Sequence, residues 1–466
     1  MKSLITMLLI VLAAVSTYGQ DITGQWNGIL KVQGIQLRVV FNINKVDDGF
    51  QSTMDSPDQG ARGIPVTATS FENTALKLTV ANAGIVYEGV LGSDGVVVGN
   101  FKQAGQSFPM NLSREAVEKE KIARPQEPAK PYPYHSEDIT FENKKAGILL
   151  AGTLTLPKET GLFPVAILIS GSGPQNRDEE LAGHKPFLVL SDYLTRNGIA
   201  VLRFDDRGTA SSEGDFKTAT SADFATDVEA AIDYLQARKE IDNRKIGLIG
   251  HSEGGLIAPM VAARSKDVAF IVLLAGTGIP GDQLLLAQQQ LIGKASGLSD
   301  DVLQKNQSIS KKAFEMVASD TNFEQLKTNL TNYLSSALKE SGSGALPQGM
   351  NVDDFVNLQV SQLVSPWMQY FIKYDPAPAL VKVKCPVLAI NGENDLQVPP
   401  KENLEAIKKA LNKGGNKKAT IKELPGLNHL FQESKTGSLA EYAVIEQTFS
   451  PMALAVVSDW IVKQMK

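Results

Sequence analysis

The strongest indication of a fold in this sequence is a serine at a sharp turn between a strand and a helix. Residues 246–249 are apolar and strand-like, residues 250–254 read Gly-His-Ser-Glu-Gly, and a helix-compatible segment covers 256–264. Gly-x-Ser-x-Gly in this setting is typical of a nucleophile elbow, whose strained turn lifts the serine hydroxyl off the edge of a sheet. The helix start leaves unpaired backbone N–H groups that can stabilise an oxyanion. The sequence therefore predicts Ser252 as a nucleophile.

A serine nucleophile needs a base, and the chain has four histidines. His135 lies in a linker and His184 in a polar loop that contacts substrate or is simply solvated. His251 adjoins the serine, and its side chain is expected to diverge from the serine side chain. His429 follows the last predicted strand, in a loop at the sheet edge that carries the serine. We therefore predict His429 as the base.

The acid that orients such a base is expected between the serine and the histidine in chain order. Residues 391–399 follow the penultimate predicted strand and contain two carboxylates, Glu393 and Asp395. Asp395 is the stronger candidate because it lies beyond the turn, and Glu393 is the alternative. A capping or turn role stays open for either residue.

The character of the chain changes twice along its length. Residues 20–113 contain five strand-like segments and Asp-Gly turns, which predict a small all-β accessory domain. Residues 114–137 are rich in proline and predict an extended linker. From 138 to 466, continuous apolar strands alternate with helical segments, which predicts an α/β domain with a doubly wound, mostly parallel sheet.

One stretch interrupts this alternation, at about residues 279–374. Strand patterns vanish there and helical segments follow one another, which predicts a helical cap over the carboxyl ends of the strands. Trp367, Tyr370 and Phe371 have helical spacing near its end. Such a stripe usually packs in a core, and a wall of the substrate pocket is the alternative.

The N-terminus and the composition give further expectations. Residues 1–19 have a positive start, a short apolar run and small residues before a cut near Gly19, as a secretory signal does. We expect a secreted or periplasmic protein without stable membrane insertion. A net charge of −5 and the absence of a basic block argue against nucleic acid as a partner. The single cysteine, Cys385, cannot form an internal disulfide.

Three motifs together resemble those of a known superfamily: Gly-His-Ser-Glu-Gly at 250–254, Gly-x-x-Asp-x-x-Val-Pro at 392–399, and the histidine at 429. Residues 138–466 resemble the serine hydrolases of the α/β-hydrolase superfamily, in the bacterial carboxylesterase branch related to prolyl oligopeptidase-type hydrolases. The resemblance implies Ser252 as nucleophile, His429 as general base and acid, and Asp395 as the orienting carboxylate.

The resemblance also implies an oxyanion hole built from two backbone N–H groups. One belongs to Glu253, the residue after the nucleophile. The other lies in the loop 170–174, where Ser172 is the first candidate and Gly173 the alternative. No zinc spacing, P-loop or Gly-x-Gly-x-x-Gly pattern is present, so neither a metal nor a cofactor is implied.

Three functions are consistent with these residues. The first is hydrolysis of a small-molecule carboxylic ester through an acyl-enzyme. The second is a peptidase or acyl-peptide hydrolase with the same triad, and the β segment is too short for the propeller domain of such enzymes. The third is a binding protein without catalysis, which the intact triad argues against. The acyl group, the alcohol and the oligomeric state are left open by the sequence.

Overall fold

The computed structural model describes residues 21–32, 35–103, 106–119, 123–320, 322–341 and 351–465. The segment predicted as a secretory signal lies outside the described residues, so secretion stays a prediction. The chain divides into two compact units, with the main boundary after Lys119. Among the described residues, no helix is both long enough and apolar enough to cross a bilayer.

The N-terminal unit is all β. Its strands are β1 (Gly24–Val32), β2 (Ile35–Val46), β3 (Gly49–Ser56), β4 (Ala61–Val66), β5 (Ala68–Glu72), β6 (Ala75–Val80), β7 (Ile85–Leu91), β8 (Val97–Gln103) and β9 (Gln106–Pro109). They form two antiparallel sheets, one with β1 to β4 and one with β5 to β9. Trp26, Phe41 and Tyr87 are almost completely buried and form the centre of this unit.

Four of these strands, β3, β4, β5 and β9, have no strong apolar alternation and were not predicted from the sequence. β3 reads Gly-Phe-Gln-Ser-Thr-Met-Asp-Ser, and it is a strand because it pairs with β2 over a continuous register from Val40–Asp55 to Val46–Gly49. Pairing with a neighbour thus outweighs the weak local preference of these residues.

The C-terminal unit contains one eight-stranded sheet. Its strands are β10 (His135–Asn143), β11 (Ile148–Leu156), β12 (Phe163–Ile169), β13 (Ala200–Phe204), β14 (Ile241–His251), β15 (Val268–Leu274), β16 (Val387–Gly392) and β17 (Ala419–Leu424). The order is β10-β11-β13-β12-β14-β15-β16-β17. β10 pairs antiparallel with β11, and β11 pairs antiparallel with β13. The other pairs, from β13-β12 to β16-β17, are parallel. This order gives the predicted α/β fold, preceded by a β unit.

Both faces of the sheet are covered by helices, and two core clusters result. Side chains at alternate positions of a strand point to opposite faces, so Ile167 and Leu248 belong to one cluster while Leu168 and Ile249 belong to the other. The covering helices are α1 (Pro186–Arg196), α2 (Ser221–Gln236), α3 (Gly254–Ala262), α10 (Pro400–Lys413) and α12 (Pro451–Met465). Burial on both faces explains the continuous apolar runs of the sequence.

The predicted cap region is helical. It contains α4 (Gly281–Ala295), α5 (Asp300–Ser319), α6 (Phe323–Ser341), α7 (Val352–Leu363) and α8 (Pro366–Lys373), and the short helices α9 (Ala377–Leu380) and α11 (Leu439–Tyr442) lie further along the chain. Side chains from α5 to α8 form a small core of their own around Phe314, Leu330 and Val360. Ser299, before α5, accepts a hydrogen bond from the backbone of that helix and so caps it.

The proline-rich segment predicted as a linker is largely attached to the C-terminal unit. β10 begins within it, and Arg124 donates to the backbone oxygens of Ile445 at 2.6 Å and Ala443 at 2.8 Å. Gln126 donates to the backbone oxygen of Phe449 at 2.7 Å. These side chains donate hydrogen bonds to backbone carbonyl groups of an irregular segment. Because that segment is neither helix nor strand, its carbonyl groups lack the backbone partners that regular structure provides.

We expect two shortened chains, one beginning at Ala123 and one at Pro133, to differ in stability and activity. Only the second lacks Arg124 and Gln126, so the segment after His429 loses its anchors. At about 0.5–1.5 kcal/mol for each hydrogen bond, the loss should reach about 3 kcal/mol or more. Thermal unfolding measures the difference in stability, and the rate at which Ser252 reacts with a fluorophosphonate measures the difference in activity. Equal melting temperatures and equal rates would show that these contacts contribute little.

Candidate active site

The turn after β14 places Ser252 at the carboxyl end of the sheet. Ser252 has a φ of 53°, in the left-handed region that is strained for a serine, and α3 begins two residues later. A Cβ atom on Gly250 would lie 1.9 Å from the backbone oxygen of Gly254, and one on Gly254 would lie 2.1 Å from that of Ile169. Only glycine fits at these two positions, which explains the motif sterically.

His429 and Asp395 are in direct contact. Nδ1 of His429 lies 2.8 Å from Oδ2 of Asp395, and both side chains are buried. The other carboxylate oxygen of Asp395 accepts from the backbone N–H groups of Gln397 and Val398, at 2.8 and 2.9 Å. The carboxylate is therefore fixed on both sides. An imidazole that donates from Nδ1 leaves Nε2 free to accept a proton.

Glu393, the alternative acid, lies elsewhere. Its Oε2 accepts from the backbone N–H of Gly426 at 2.9 Å, a contact that joins the loops after β16 and β17. The structure thus brings Asp395, and not Glu393, to His429.

The loop after β12 lies beside the serine. A Cβ atom on Gly171 would be 3.2 Å from Cβ of Ser252, so a side chain at this position would require the serine or the loop to shift by a few tenths of an ångström. Within the part of the chain that the structure describes, the backbone N–H groups of Ser172 and Glu253 donate to no protein acceptor. Both groups are available to a negatively charged oxygen, as an oxyanion hole requires.

Three carboxyl groups, those of Asp206, Asp227 and Glu253, line a cavity of about 10 Å³ next to this loop, together with Ser170 and Gly171. Asp206 accepts from Ser170 Oγ at 2.7 Å, and burial raises the pKa of Asp206 to about 8. Burial also raises the pKa of Glu253. A protonated carboxyl group at either position keeps negative charge away from the place where an oxyanion would form.

The cap reaches the elbow through one aromatic side chain. Nε1 of Trp367 donates to Oε1 of Glu253 at 2.8 Å, and Ser221 Oγ donates to the same oxygen at 2.6 Å. Phe371 stacks on Trp367 but is itself buried in the sheet core. Tyr370 stacks on Tyr374. The three aromatic candidates therefore have different contacts. Phe371 packs in the core, whereas Trp367 is hydrogen-bonded to Glu253, the residue after Ser252.

Trp367→Phe is expected to lower kcat about tenfold, because the ring stays and only its N–H is lost. A missing hydrogen bond to a buried group costs about 1–3 kcal/mol, and about 1.4 kcal/mol corresponds to a factor of ten in rate. Trp460→Phe is the matched control, since its Nε1 donates to Thr420 and not to the site. Hydrolysis of one aryl ester by both variants measures the effect. An equal response of the two would exclude a role for the Glu253 contact.

The polar loop 175–185 is bound to the rest of the fold by ion pairs and a buried histidine, which corrects the expectation of free solvation. Substrate contact by this loop stays a prediction. Arg177 pairs with Asp205 at 2.7 Å, and Asp178 pairs with the buried Arg203. His184 is fully buried, with Nδ1 2.9 Å from Thr448 Oγ1. Burial, with a further effect of a nearby arginine, lowers the pKa of His184 to about 4, so this ring is neutral.

The same loop supplies a residue that the sequence did not single out. Glu179 is buried, and its Oε1 lies 2.9 Å from Nδ1 of His251 and accepts from the N–H of Gly171 at 2.7 Å. The ring of His251 contacts the main chain of His429, with Nε2 2.9 Å from the backbone oxygen of that residue. Only the high polarity of the loop hinted at Glu179.

Metal binding within the described ranges would require a cluster of side chains that can act as ligands. No group of three or more histidine, cysteine, aspartate or glutamate residues there has an arrangement that could hold a metal ion. Cys385 is a free thiol, and burial raises its pKa to about 11, which makes it unreactive at neutral pH.

A model of one protein family matches more than half of the chain. The family is that of X-Pro dipeptidyl-peptidases (S15 family), and the match covers residues 146–423. The matched range includes Ser252, Asp395 and the greater part of the sheet, and it ends shortly before His429.

Individual proteins are also similar. Esterase EstD of Thermotoga maritima is 29% identical over 180 residues, which cover 38% of this chain and 42% of EstD. The chain thus matches less than half of the length of that relative. An uncharacterised 31.7 kDa protein of Escherichia coli is 25% identical over 331 residues, which cover 70% of this chain and 99% of that protein.

Solved structures give more distant similarities. Est1E of Butyrivibrio proteoclasticus with ferulic acid is 18% identical, with a TM-score of 0.41 over 70% of this chain and 99% of that chain. The esterase Pf2001 of Pyrococcus furiosus is 16% identical, with a TM-score of 0.42 over 72% of this chain and 94% of that chain. These similarities do not identify a substrate.

Proposed function

The chain belongs to the X-Pro dipeptidyl-peptidase (S15) family of hydrolases, and from this premise we propose that it hydrolyses carboxylic esters through an acyl-enzyme on Ser252. The observation that carries the proposal is the contact between His429 Nδ1 and Asp395 Oδ2 at 2.8 Å, at the same sheet edge as the strained serine turn. A histidine held in this tautomer can serve as the base for a neighbouring serine.

In the proposed reaction, Ser252 Oγ attacks the ester carbonyl and passes its proton to Nε2 of His429. The carbonyl oxygen becomes an oxyanion, which the N–H groups of Ser172 and Glu253 stabilise. Collapse of the intermediate breaks the bond to the alcohol, which takes the proton from His429 and leaves. Water then attacks the acyl-enzyme by the same route and releases the acid.

Asp395 keeps the imidazole in the tautomer that the first proton transfer needs. Its two carboxylate oxygens have different partners, since one contacts His429 and the other accepts hydrogen bonds from the backbone. An acid that is fixed in this way does not rotate away when the histidine becomes charged.

The second candidate is a peptidase with the same residues, and the family match favours it. An amide differs from an ester in its leaving group, because an amine must be protonated as it departs whereas an alcohol leaves more readily. The similarity to EstD, which is named an esterase, supports ester cleavage in this chain.

One panel of substrates decides between the two. We expect the purified protein to hydrolyse aryl esters with acyl chains from acetate to octanoate, and to cleave Ala-Pro and Gly-Pro anilides far more slowly. A fluorophosphonate probe, which reacts with activated serines, is expected to label Ser252. A preference for the X-Pro anilides would favour the peptidase, and a protein that is not labelled would contradict both functions.

A further inference from the structure

His251, the residue before the proposed nucleophile, is held at both of its ring nitrogens. Its Nδ1 lies 2.9 Å from Oε1 of Glu179, and its Nε2 lies 2.9 Å from the backbone oxygen of His429. The rings of His251 and His429 are 4.8 Å apart between their centroids. The side chain of His251 thus joins the turn that carries Ser252 to the main chain of the proposed base.

The partners of this ring determine its charge. A carbonyl oxygen and an ionised carboxylate both accept hydrogen bonds only, so each ring nitrogen of His251 must carry a hydrogen. Burial lowers the pKa of His251, but the charge and hydrogen bond of Glu179 oppose this effect. Together with the backbone oxygen of His429 and the charge of Asp395, they raise the pKa above its ordinary value. The two acceptor contacts and the raised pKa both favour the imidazolium form of His251, in contrast to the neutral His184.

Glu179 holds a second segment of the site in addition to His251. The same Oε1 accepts from the N–H of Gly171 at 2.7 Å, at the start of the loop that contains Ser172. Glu179 is 3% exposed and has a φ of 52°, in a region that residues with large side chains seldom adopt. Strain of this kind persists only where surrounding contacts fix it, and it is concentrated at functional sites.

We propose that Glu179 and His251 form a second carboxylate–imidazole pair that positions the catalytic groups without touching substrate. His251 fixes the main chain of the base His429, and Glu179 fixes both His251 and the loop of the oxyanion donor Ser172. The inference rests on the proposed function, because it assigns positioning residues to that same reaction. Proton transfer and oxyanion binding depend on such positions, since a displacement of about 1 Å can cost about a hundredfold in rate.

The pair is linked to pH through the charge of His251. The titratable groups that face His251 are Glu179, His429 and Asp395. Glu179→Gln removes one negative charge and keeps an oxygen for the N–H of Gly171. The pKa of His251 then falls, and at higher pH the ring carries a single hydrogen, which cannot serve both of its contacts.

The test measures steady-state ester hydrolysis by the full chain with Glu179→Gln between about pH 5.5 and about pH 8.5. At the upper end we expect kcat to be about 10- to 100-fold below that of the unaltered protein, with KM changed less than about threefold. Towards the lower end the ratio of the two kcat values should return towards one, because His251 regains its second hydrogen. Glu180→Gln, on the adjacent exposed carboxylate, is the matched control and should leave the profile unchanged.

A double substitution tests whether Glu179 acts through His251. If it does, the chain with both Glu179→Gln and His251→Gln should be no slower than the chain with His251→Gln alone, because contacting residues in one network are not additive. His251→Gln alone also serves if Glu179→Gln fails to fold. We expect it to lower kcat by a factor that is constant across the pH range.

The rate at which a fluorophosphonate labels Ser252 separates this inference from the proposed function. If the unaltered protein is labelled and Glu179→Gln reacts at an undiminished rate at every pH, the positioning role is overturned while the proposed function stands. If Glu179→Gln lowered kcat by the same factor at every pH, or if the effects of the two substitutions on kcat were additive, Glu179 would have only a structural role. An unaltered protein that is not labelled would overturn both.

Discussion

Ser252→Ala is expected to lower kcat for ester hydrolysis by about 10⁴- to 10⁶-fold, the range typical for loss of a nucleophile that acts with a base and an acid. The serine supplies the oxygen that becomes acylated, and no other hydroxyl group is held in the strained turn at the end of β14. Alanine removes one oxygen and keeps the Cβ atom. The φ of 53° is about as strained for alanine as for serine, so the substitution adds no backbone strain and the fold should be retained.

The comparison needs a serine substitution far from the site. Ser308→Ala is suited to this purpose, because Ser308 is exposed on α5 and its hydroxyl donates only to the backbone of its own helix. Both variants should melt at nearly the same temperature, and only Ser308→Ala should react with a fluorophosphonate. If Ser252→Ala kept more than a few per cent of the activity, another nucleophile would have to be sought.

The parallel sheet could be predicted from the sequence because its signal is local. Strands such as β12 and β15 are buried on both faces, so each is a continuous apolar run that ends close to the true boundary. The same logic fails for β3 and β5, which carry polar residues and become strands only through pairing with their neighbours. The hydrophobic pattern of a segment therefore predicts whether its side chains are buried. It predicts strand pairing only for those strands that are also buried.

Part of the candidate site could also be derived from the sequence, because chain order restricts it. The elbow, Asp395 and His429 follow the ends of β14, β16 and β17, and parallel strands bring those ends to one edge of the sheet. The histidine contact to Asp395 was therefore an expectation with few alternatives.

The contacts that support the candidate site are not restricted by chain order in this way. Glu179 and His251 are 72 residues apart, and Trp367 and Glu253 are 114 residues apart. Neither pair follows a periodic pattern or a motif spacing, and each depends on where a loop or a cap helix is placed in three dimensions. A single sequence contains no local trace of contacts of this kind.

Asp395→Asn is expected to lower kcat by about 10⁴-fold, an effect of the size found when a serine protease loses its orienting carboxylate in this way. The amide is nearly the same size as the carboxylate, and its oxygen can still accept from the N–H groups of Gln397 and Val398. Its NH₂ group then faces Nδ1 of His429 and, as a donor, favours the tautomer with hydrogen on Nε2. A base with that nitrogen already protonated cannot accept the proton of Ser252.

Glu393→Gln is the matched control, because it makes the same chemical change two residues away. Its side-chain oxygen can still accept from the N–H of Gly426, so we expect kcat within about threefold of the unaltered protein. The pH profile of kcat adds a second criterion. The loss of kcat in Asp395→Asn arises from the wrong tautomer of His429, so it should persist at high pH. If His429 were instead only protonated, kcat would recover as the pH rises. If Glu393→Gln were the more damaging change, the orienting role would belong to Glu393, and the contact between Asp395 and His429 would serve the fold alone.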